Sequence, residues 1–495
     1  MDEQAVGVSY GRRLTEIAAA RPDDVDLIVV DRDGNERGVT WRELETRANQ
    51  IARALQTAGV GKSDVVALAM PSCAEHVFVT VAIWKLGATL LPLRYDIPDW
   101  EMDRMLELAH PKVLVSDQHH ASCPVLTSAQ LAATTALAGD ALPDAVSECV
   151  NLVASSGSTG LPKLIVTPSR GVVGDDAPMN ASVGATAPVI LVVSPLYHVN
   201  GFSFAAPVML EGGHVVILEK FDAARAVELI ERHRITLTVM VPTMLQRIAR
   251  LPTIERRQLG SLQRVIYGGA HVPEWVVDRW LELVDPAVFI LMYGSSERLG
   301  LVVMSGAEWA THRGSSGKAT DVELSIRDDS GNPLPTGEIG DIYMRPLEAR
   351  RLFTYIGMAT PEPTPDGFYT IGDLGRLDNE GYLYIADRRK DLIVTGGANV
   401  FPAEVEHALS EHPDVVDQVV VGVPDEEWGH RVHAILQVGD PAHPPDDDEL
   451  RAFCKERLAS YKVPKTFEFI ERVPRTEAGK LNRTDLGAQR VTGER

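Results

Sequence analysis

The chain has 495 residues, of which 45% are hydrophobic and 24% are charged, and its formal net charge is -21 at pH 7. One hydrophobic core rarely serves a chain of this length, so two or more domains are expected. The acidic excess argues against a nucleic-acid binder or a protein of anionic membrane surfaces, because both partners are themselves negative.

Cysteine usage and hydrophobic run lengths indicate the cellular compartment. Four cysteines lie far apart with no Cys-x-x-Cys pair, so reduced thiols are expected rather than a zinc site or a disulfide framework. The chain begins with acidic residues instead of a signal peptide, and no apolar run is long enough for a membrane-spanning helix. We therefore expect a cytoplasmic protein.

The first part of the chain predicts strands that alternate with helices. Residues 8–60 have the pattern of a helix, a strand pair turning at 33–34, and a second helix whose first turn is capped by Thr40. Apolar strands then alternate with helices at 74–86 and 99–109, which is typical of a parallel sheet covered by helices. Residues 119–147 are Ala/Pro-rich and predict a surface connection.

The alternation of strands and helices continues after residue 188 and gives way to antiparallel strands near residue 321. Near-continuous apolar runs predict buried parallel strands, and between them lie segments of helical pattern. These strands are expected at 189–193, 215–218, 237–241, 264–267 and 288–292, and the helices at 223–232, 242–251 and 273–283. Alternating residues and glycines from 321 to 386 predict antiparallel strands, and the composition shifts again near residue 391.

A Ser/Gly loop is the most informative single stretch. Residues 155–160 are all Ser, Thr or Gly, they lie between two apolar runs, and Pro162 and Lys163 follow. Glycines let backbone N–H groups converge on one point, hydroxyls add donors, and lysine supplies a mobile positive charge. This combination suits a polyphosphate, although its spacing is not that of a Walker A loop. The alternative is an ordinary Ser/Gly-rich surface loop.

Three predicted strands end in short turns that are rich in glycine and polar residues, at 194–201, 267–270 and 293–297. Carboxyl ends of parallel strands gather at one edge of a sheet, where ligands bind. Each turn alone could be an ordinary strand-to-helix connection. Together with the Ser/Gly loop they predict one nucleotide site at this edge.

Six motifs extend over almost the whole chain in a fixed order: SSGSTGLPK, YGGA, YGSSE, YTIGDLG, ADRRKDLIVTGGANVFPAEVE and PRTEAGKLNR. With them the chain resembles the adenylate-forming enzymes, which comprise acyl- and aryl-CoA synthetases, luciferases and adenylation domains. In that family, ATP and a carboxylate give an acyl-AMP and pyrophosphate, and a thiol, most often coenzyme A, then takes the acyl group. The resemblance implies an α/β fold with a large N-terminal region (1–387) of two α/β subdomains and a small β-barrel. A hinge (388–390) and a small mobile α+β lid (391–495) would follow.

The resemblance also implies a role for individual residues at the ATP site. The β- and γ-phosphates would be bound by Ser155, Ser158, Thr159, Gly160 and Lys163. Tyr293 would lie against adenine beside Gly269 and Ala270, a position that suits a flat ring. Ser296, where the family usually has Thr, would contact the α-phosphate, and Glu297 would hold Mg²⁺.

Four further residues match the family's motifs nearer the C-terminus. Asp373 would accept hydrogen bonds from both ribose hydroxyls, and Arg388 would make a second ribose contact. Lys480 would be the catalytic lysine between the substrate carboxylate and the α-phosphate, and Lys390 would be the hinge residue. The alternative interpretation is that Asp373 is an ordinary turn aspartate and that the three basic residues are solvated surface charges.

The motif variants look most like those of acyl- and aryl-CoA ligases. The predicted function is ATP-dependent activation of a small organic acid of aryl, fatty or steroid type, followed by transfer to coenzyme A. Candidates for the acid pocket lie on turns beside the ATP motifs, and the aromatic ones could equally be core residues. They are Tyr197, His198, Phe202, Tyr267, Gly294 and Leu299. The sequence leaves both a monomer and a homodimer open.

Other functions remain compatible with these motifs. A stand-alone adenylation enzyme could load a separate carrier protein, whereas a peptide-synthetase module is disfavoured because no carrier domain follows Arg495. A diazotase-type relative would adenylate nitrite and act on an aryl amine. A non-enzymatic nucleotide sensor would keep the ATP-binding loops without turnover.

Overall fold

The computed structural model describes residues 7–492 except 119, 121, 157–161, 175–187, 270–271, 348–352, 426, 477–478 and 480. Its helices are α1 (Tyr10–Ala20), α2 (Trp41–Thr57), α3 (Ala74–Lys85), α4 (Asp99–Ala109), α5 (Ser128–Ala133), α6 (Val199–Leu210), α7 (Ala223–Arg232), α8 (Pro242–Ala249), α9 (Glu274–Leu283), α10 (Gly306–Trp309), α11 (Pro402–Ser410), α12 (Asp447–Lys455) and α13 (Arg483–Thr492).

The first fifteen strands belong to the α/β part of the chain and to the Ser/Gly loop. They are β1 (Val25–Val30), β2 (Glu36–Thr40), β3 (Val65–Leu68), β4 (Thr89–Pro92), β5 (Val113–Val115), β6 (Val125–Leu126), β7 (Leu152–Ser156), β8 (Pro162–Val166), β9 (Val189–Val192), β10 (His214–Leu218), β11 (Leu237–Met240), β12 (Arg264–Tyr267), β13 (Phe289–Tyr293), β14 (Val302–Ser305) and β15 (Lys318–Ala319). The remaining strands are β16 (Val322–Arg327), β17 (Gly340–Pro346), β18 (Thr354–Ile356), β19 (Tyr369–Leu377), β20 (Leu383–Arg388), β21 (Ile393–Thr395), β22 (Ala398–Val400), β23 (Val415–Asp425), β24 (Gly429–Val438) and β25 (Thr466–Phe469).

Two α/β sheets form the first layers, as the alternating pattern predicts. A parallel sheet has the order β4-β3-β5-β6, and a nine-stranded sheet has the order β15-β14-β13-β12-β11-β9-β10-β1-β2. Helices α1, α2 and α3 pack in a core that takes residues from both sheets. Every residue of α3 except Glu75 is buried, which explains why this helix is apolar on all sides.

The centre of the large sheet is parallel, and its edges are antiparallel. Strands β1, β10, β9, β11, β12 and β13 pair in parallel. The antiparallel strands β2, β14 and β15 close the two edges. The carboxyl ends of the central strands therefore lie along one edge, where the three predicted turns follow β9, β12 and β13.

A third, β-rich part follows these sheets. Its four-stranded antiparallel sheet has the order β16-β17-β19-β20, and a three-stranded sheet has the order β18-β8-β7. The two sheets share one hydrophobic core that includes Ile165, Ile342 and Leu383. The Ser/Gly loop connects β7 to β8 in an antiparallel hairpin, in which Ser156 is opposite Pro162.

The C-terminal region is a separate α+β layer. Strands β22, β21, β24, β23 and β25 form one sheet. Helices α11 and α12 pack in a core on one face of this sheet, and Leu486 of α13 packs in a second core with Val419 and Val421. A short 3₁₀ turn, Arg389–Asp391, joins β20 to β21. The domain boundary and the hinge at 388–390 remain predictions.

Two segments differ from the sequence-based expectation. The predicted connection at 119–147 contains β6 and the short helix α5, which starts with a capping box between Thr127 and Gln130. Helix α6 begins at Val199, within the predicted turn at 194–201, and includes Pro207, which made a helix hard to predict. Among the described residues, no helix is long and apolar enough to cross a membrane.

Candidate active site

The turns after β12 and β13 and the start of α6 meet at the edge of the large sheet. A Cβ atom on Gly268 would lie 2.6 Å from the Met292 carbonyl oxygen, so this position has no room for a side chain. Gly269 has a φ of +95°, and a Cβ there would lie 3.9 Å from the Asn200 side-chain nitrogen. The predicted convergence of these turns is therefore present.

Tyr293, Asp373 and Arg388 form the first polar group of the site. The Tyr293 hydroxyl donates a 2.7 Å hydrogen bond to Asp373 Oδ2, and Arg388 Nε lies 3.7 Å from Asp373 Oδ1. Asp373 and Arg388 are cross-strand neighbours on β19 and β20. Burial raises the pKa of Asp373, while the Tyr293 hydroxyl and the Arg388 charge partly offset this effect. The Arg388 side chain is 62% exposed and can reach a ligand from outside.

Lys163, Glu297 and Tyr355 form the second polar group. Tyr355 donates a 2.7 Å hydrogen bond to Glu297 Oε1, and Lys163 Nζ lies 3.5 Å from the same oxygen. The Lys163 ammonium also lies 3.5 Å from the centroid of the Tyr355 ring, in a cation–π contact. Burial lowers the pKa of Lys163, and the Glu297 carboxylate opposes that shift.

The sequence analysis missed Tyr355. It lies on β18, a three-residue strand that pairs with β8 and places Tyr355 opposite Ile165. This pairing joins segments that are far apart in the chain, and no motif marks residue 355. An aromatic residue beside Lys163 could be found only from the strand pairing.

The Ser/Gly loop is described only at its two ends. Ser155, on β7, is the cross-strand neighbour of Lys163 on β8. Ser158, Thr159, Gly160 and Ala270 lie outside the described residues, so their phosphate and adenine roles stay predictions. Ser296 is partly buried in the same turn as Glu297.

The C-terminal region reaches the same sheet edge through Gly479. Gly479 has a φ of +73°, and a Cβ on it would lie 3.3 Å from both Val241 Cγ2 and Thr243 Oγ1. Val241 and Thr243 lie directly after β11, so the residue that precedes Lys480 is next to the carboxyl end of a central strand. Lys480 itself is not among the described residues. Lys390 is exposed in the 3₁₀ turn between β20 and β21.

The candidate acid-pocket residues are not all together. Tyr197 and His198 have ring centroids 4.8 Å apart, and the Tyr95 ring centroid lies 6.3 Å from that of Tyr197. Phe202 packs edge-on against Trp84 at 5.7 Å, at the margin of a core.

The other three candidates are distributed differently. Tyr267 is buried against Phe289 in the core on one face of the large sheet, and Leu299 is fully buried in the core of the β-rich part. Gly294 is exposed in the turn after β13. Only the group around Tyr197 and His198 is brought together by the fold, and the pocket assignment remains a prediction.

The two polar groups fit a magnesium nucleotide. Oε1 of Glu297 is engaged by Tyr355 and Lys163, whereas Oε2 makes no hydrogen bond to another described residue. One carboxylate oxygen is enough for Mg²⁺ when phosphates and water complete its octahedron. Lys163 would then neutralise phosphate charge, and Asp373 has one oxygen engaged by Tyr293 and another facing Arg388.

Comparison with known sequences identifies the family of the chain. The family described as "AMP-binding enzyme" matches residues 14–347, and the "AMP-binding enzyme C-terminal domain" matches residues 404–480. The chain is 34% identical to a feruloyl-CoA synthase of an Amycolatopsis species over 457 residues, which is 90% of this chain and 92% of that protein. It is 31% identical to a fatty acid–acyl-carrier-protein ligase of Streptomyces coeruleorubidus, with 91% of each chain covered.

Comparison with solved structures gives the same result. The o-succinylbenzoate-CoA synthetase of Bacillus subtilis, in complex with its acyl-adenylate intermediate, superposes with a TM-score of 0.80 at 28% identity, covering 96% of this chain and 97% of that one. The same synthetase in complex with ATP and a magnesium ion has a TM-score of 0.78. The chain therefore belongs to the AMP-binding enzymes, the superfamily of adenylate-forming acyl- and aryl-CoA ligases.

Proposed function

We propose that this enzyme activates an aromatic carboxylic acid with ATP and Mg²⁺ to give an acyl-adenylate and pyrophosphate, and then transfers the acyl group to coenzyme A. The observation that carries the proposal is the juxtaposition of two groups at one sheet edge. The Tyr293–Asp373–Arg388 group suits a ribose and adenine, and the Lys163–Glu297–Tyr355 group suits phosphates with a metal ion.

The first half-reaction needs two anions to approach each other. A carboxylate oxygen of the acid attacks the α-phosphorus of ATP, and the bond to the bridging oxygen breaks, so that pyrophosphate leaves with its electron pair. Lys163 offsets phosphate charge from the end of the Ser/Gly hairpin. Glu297 would hold Mg²⁺, which would supply further positive charge to the phosphates. Lys480, whose predecessor Gly479 lies next to Thr243, would offset the charge of the attacking carboxylate.

The second half-reaction breaks the bond between the acyl carbon and AMP. The thiol of coenzyme A attacks the acyl carbon, loses its proton, and AMP leaves as the phosphate anion. The edge of the sheet that Gly479 contacts must then admit a thiol. A rotation of the C-terminal region about Lys390 would provide this access, because Lys390 is exposed between two ordered strands.

Two lines of support favour an aromatic acid. Two of the three relatives above are named for ferulate and o-succinylbenzoate, and both of these acids contain a ring, whereas the third is named for fatty acids. The Tyr197 and His198 rings, at the turn that precedes α6, have centroids 4.8 Å apart, and the Tyr95 ring centroid lies 6.3 Å from that of Tyr197. Aromatic side chains at such a turn offer edge and face contacts to a planar ring.

A panel of acids tests the proposal. Ferulate, 2-succinylbenzoate, octanoate and a bile acid are each added with ATP and Mg²⁺, and pyrophosphate release is measured with and without coenzyme A. We expect the two aromatic acids to give the highest rates and coenzyme A to convert the product to a thioester. A higher rate with octanoate or the bile acid would reject the aromatic class, and no pyrophosphate from any acid would reject the enzyme's proposed reaction.

Carrier loading is a second candidate function, because one relative is a ligase of an acyl-carrier protein. The acyl-adenylate is common to both routes, so only the acceptor differs. A phosphopantetheinylated carrier protein replaces coenzyme A in a parallel reaction, and faster acyl transfer to the carrier would favour this alternative. Nitrite with an aryl amine, tested in the same format, distinguishes a diazotase-type reaction.

A further inference from the structure

Arg250 connects the N-terminal part of the chain to the C-terminal region. It lies at the C-cap of α8, and its guanidinium donates hydrogen bonds of 2.8 Å to the Val416 carbonyl and 2.9 Å to the Val415 carbonyl. The guanidinium carbon is 5.3 Å from the centroid of the Trp275 ring on α9. Arg250 thus packs against the N-terminal part of the chain and donates hydrogen bonds to the C-terminal region.

The acceptor carbonyls are available because β23 begins with an irregularity. The pairing of β23 with β24 shifts register between Val415 and Asp417, which makes Val416 the extra residue of a bulge. A bulge takes backbone groups out of the strand ladder and leaves them unpaired. Arg250 donates to the carbonyl of this extra residue, Val416, and to the neighbouring carbonyl of Val415.

A second arginine continues this contact toward the active site. Arg475 donates to both oxygens of Asp417, with a 2.9 Å bond from Nε to Oδ2, and to the Gln418 carbonyl at 2.8 Å. It also donates a 3.3 Å hydrogen bond to the Gly479 carbonyl. Gly479 in turn lies against Val241 and Thr243 at the start of α8.

Helix α8 therefore contacts the C-terminal region at both of its ends. Thr243 contacts Gly479 near the active site, and Arg250 bonds the start of β23 at the other end. Arg475 ties these two points together within the C-terminal region. Two separated contacts determine an orientation, whereas one contact would leave the C-terminal region free to turn.

We propose that Arg250 is a positioning residue of adenylation, which holds the C-terminal region in the arrangement that places Gly479 against α8. The expected effect on the half-reactions rests on the proposed function, whereas the contact between Arg250 and the C-terminal region does not. Loss of the Arg250 hydrogen bonds should lower the fraction of molecules in which Gly479 lies against α8. The acyl-transfer step, which requires the edge to open to a thiol, should not depend on them.

The test separates the contact from the chemistry. Arg250→Met keeps an apolar side chain against Trp275 but cannot donate, and Arg247→Met is the matched control, because Arg247 is exposed on the same helix. Hydrogen–deuterium exchange is measured in peptides covering 241–244 and 473–479, without any acid substrate. We expect roughly fivefold faster exchange in both peptides for Arg250→Met and no change for Arg247→Met.

The half-reactions are then measured with the acid of the panel that gives the highest rate. We expect ATP–pyrophosphate exchange to fall about tenfold in Arg250→Met, while transfer from the isolated acyl-adenylate to coenzyme A stays at the parental rate. Arg250→Lys retains one donor nitrogen, so its rate of ATP–pyrophosphate exchange should lie between those of the parental protein and Arg250→Met. This variant should still fold if the methionine variant does not. Unchanged hydrogen exchange, or an equal loss in both half-reactions, would overturn the proposal. Faster hydrogen exchange without adenylation of any acid in the parental protein would uphold the contact and reject only the proposed function.

Discussion

Tyr355→Phe tests the least expected part of the site. The substitution keeps the ring beneath the Lys163 ammonium and removes only the hydroxyl that donates to Glu297 at 2.7 Å. Burial and the Glu297 carboxylate raise the pKa of Tyr355, so the phenol stays protonated and continues to donate throughout the usual assay range. The variant therefore isolates one hydrogen bond at every pH used.

The size of the effect follows from the character of this bond. A hydrogen bond to a charged acceptor contributes roughly 1.5 to 3 kcal/mol, which corresponds to about 10- to 150-fold in an equilibrium or a rate. Glu297 keeps its Lys163 neighbour at 3.5 Å, and its side chain is 11% exposed, so water can replace part of the lost bond. We therefore expect an effect at the lower end of this range, which is about a tenfold fall in kcat/KM for adenylation.

The assay is pyrophosphate release as a function of Mg²⁺ concentration. The Tyr355 hydrogen bond orients the Glu297 carboxylate, which would hold Mg²⁺. The variant should therefore need more Mg²⁺ for half-maximal rate, as well as being slower. Tyr355→Leu also removes the ring, so its adenylation rate should fall further, because Lys163 loses its cation–π contact. Tyr343→Phe is the control, because the Tyr343 ring contacts Arg327 and not the site. A Tyr355→Phe enzyme with the parental rate and the parental Mg²⁺ dependence would refute this reasoning.

Four further predictions concern single residues. Lys480→Ala should slow adenylation by about 10² to 10³ and spare transfer from a pre-made acyl-AMP, as for loss of one preorganised charge donor; an equal loss in both steps, measured separately, would contradict it. Asp373→Ala should raise the KM for ATP, because ribose hydrogen bonds to a charged acceptor are lost at roughly 1.5 to 3 kcal/mol each; unchanged ATP affinity in a folded variant would disprove the assignment. Lys390→Pro should preserve adenylation and abolish thioester formation, because proline fixes φ near about −65° and restricts the predicted hinge; thioester formation at the parental rate would eliminate the hinge. Asp26→Ala should stabilise the protein at pH 8 by about 1 to 3 kcal/mol in urea unfolding, because both Asp26 oxygens are buried without a hydrogen-bond partner among the described residues; a less stable variant would contradict it.

The pH dependence of the Asp26 effect has a definite sign. Burial raises the pKa of Asp26 well above its usual range in the folded protein. Between the unfolded and the folded pKa values, the folded chain binds a proton that the unfolded chain releases, so stability falls as the pH rises through this interval. The advantage of Asp26→Ala should therefore grow from about pH 4 upward and should be smallest in strong acid.

The local sequence determined most of the elements and the order of the motifs. The predicted helices at 99–109 and 223–232 have the same bounds as α4 and α7 in the structure. The predicted cap of α2 is present, since the Thr40 hydroxyl accepts a 3.2 Å hydrogen bond from the Glu43 amide. These features depend on residues within one or two turns of each other, and such short-range information is present in the sequence pattern.

Strand patterns alone did not decide which side of a strand faces the site. Tyr267 precedes a glycine turn of the site, yet its ring points into the core with Phe289, on the face opposite to that of Ile266. Successive side chains of a strand point to opposite faces, and the pattern indicates only the alternation. Which face meets the ligand follows from the packing of helices on the two sides of the sheet.

Only the tertiary structure revealed the residues that act across long stretches of chain. Tyr355 reaches Glu297 because β18 pairs with β8, and Arg250 reaches Val416 because a bulge leaves carbonyl groups open. Neither pair is marked by a spacing or a motif, since register between distant strands and the docking of two regions are set by the sum of many packing contacts. The sequence by itself therefore determined the family, most of the elements and the ATP motifs, whereas the partners of Glu297 and the attachment of the C-terminal region were decided by how the chain packs.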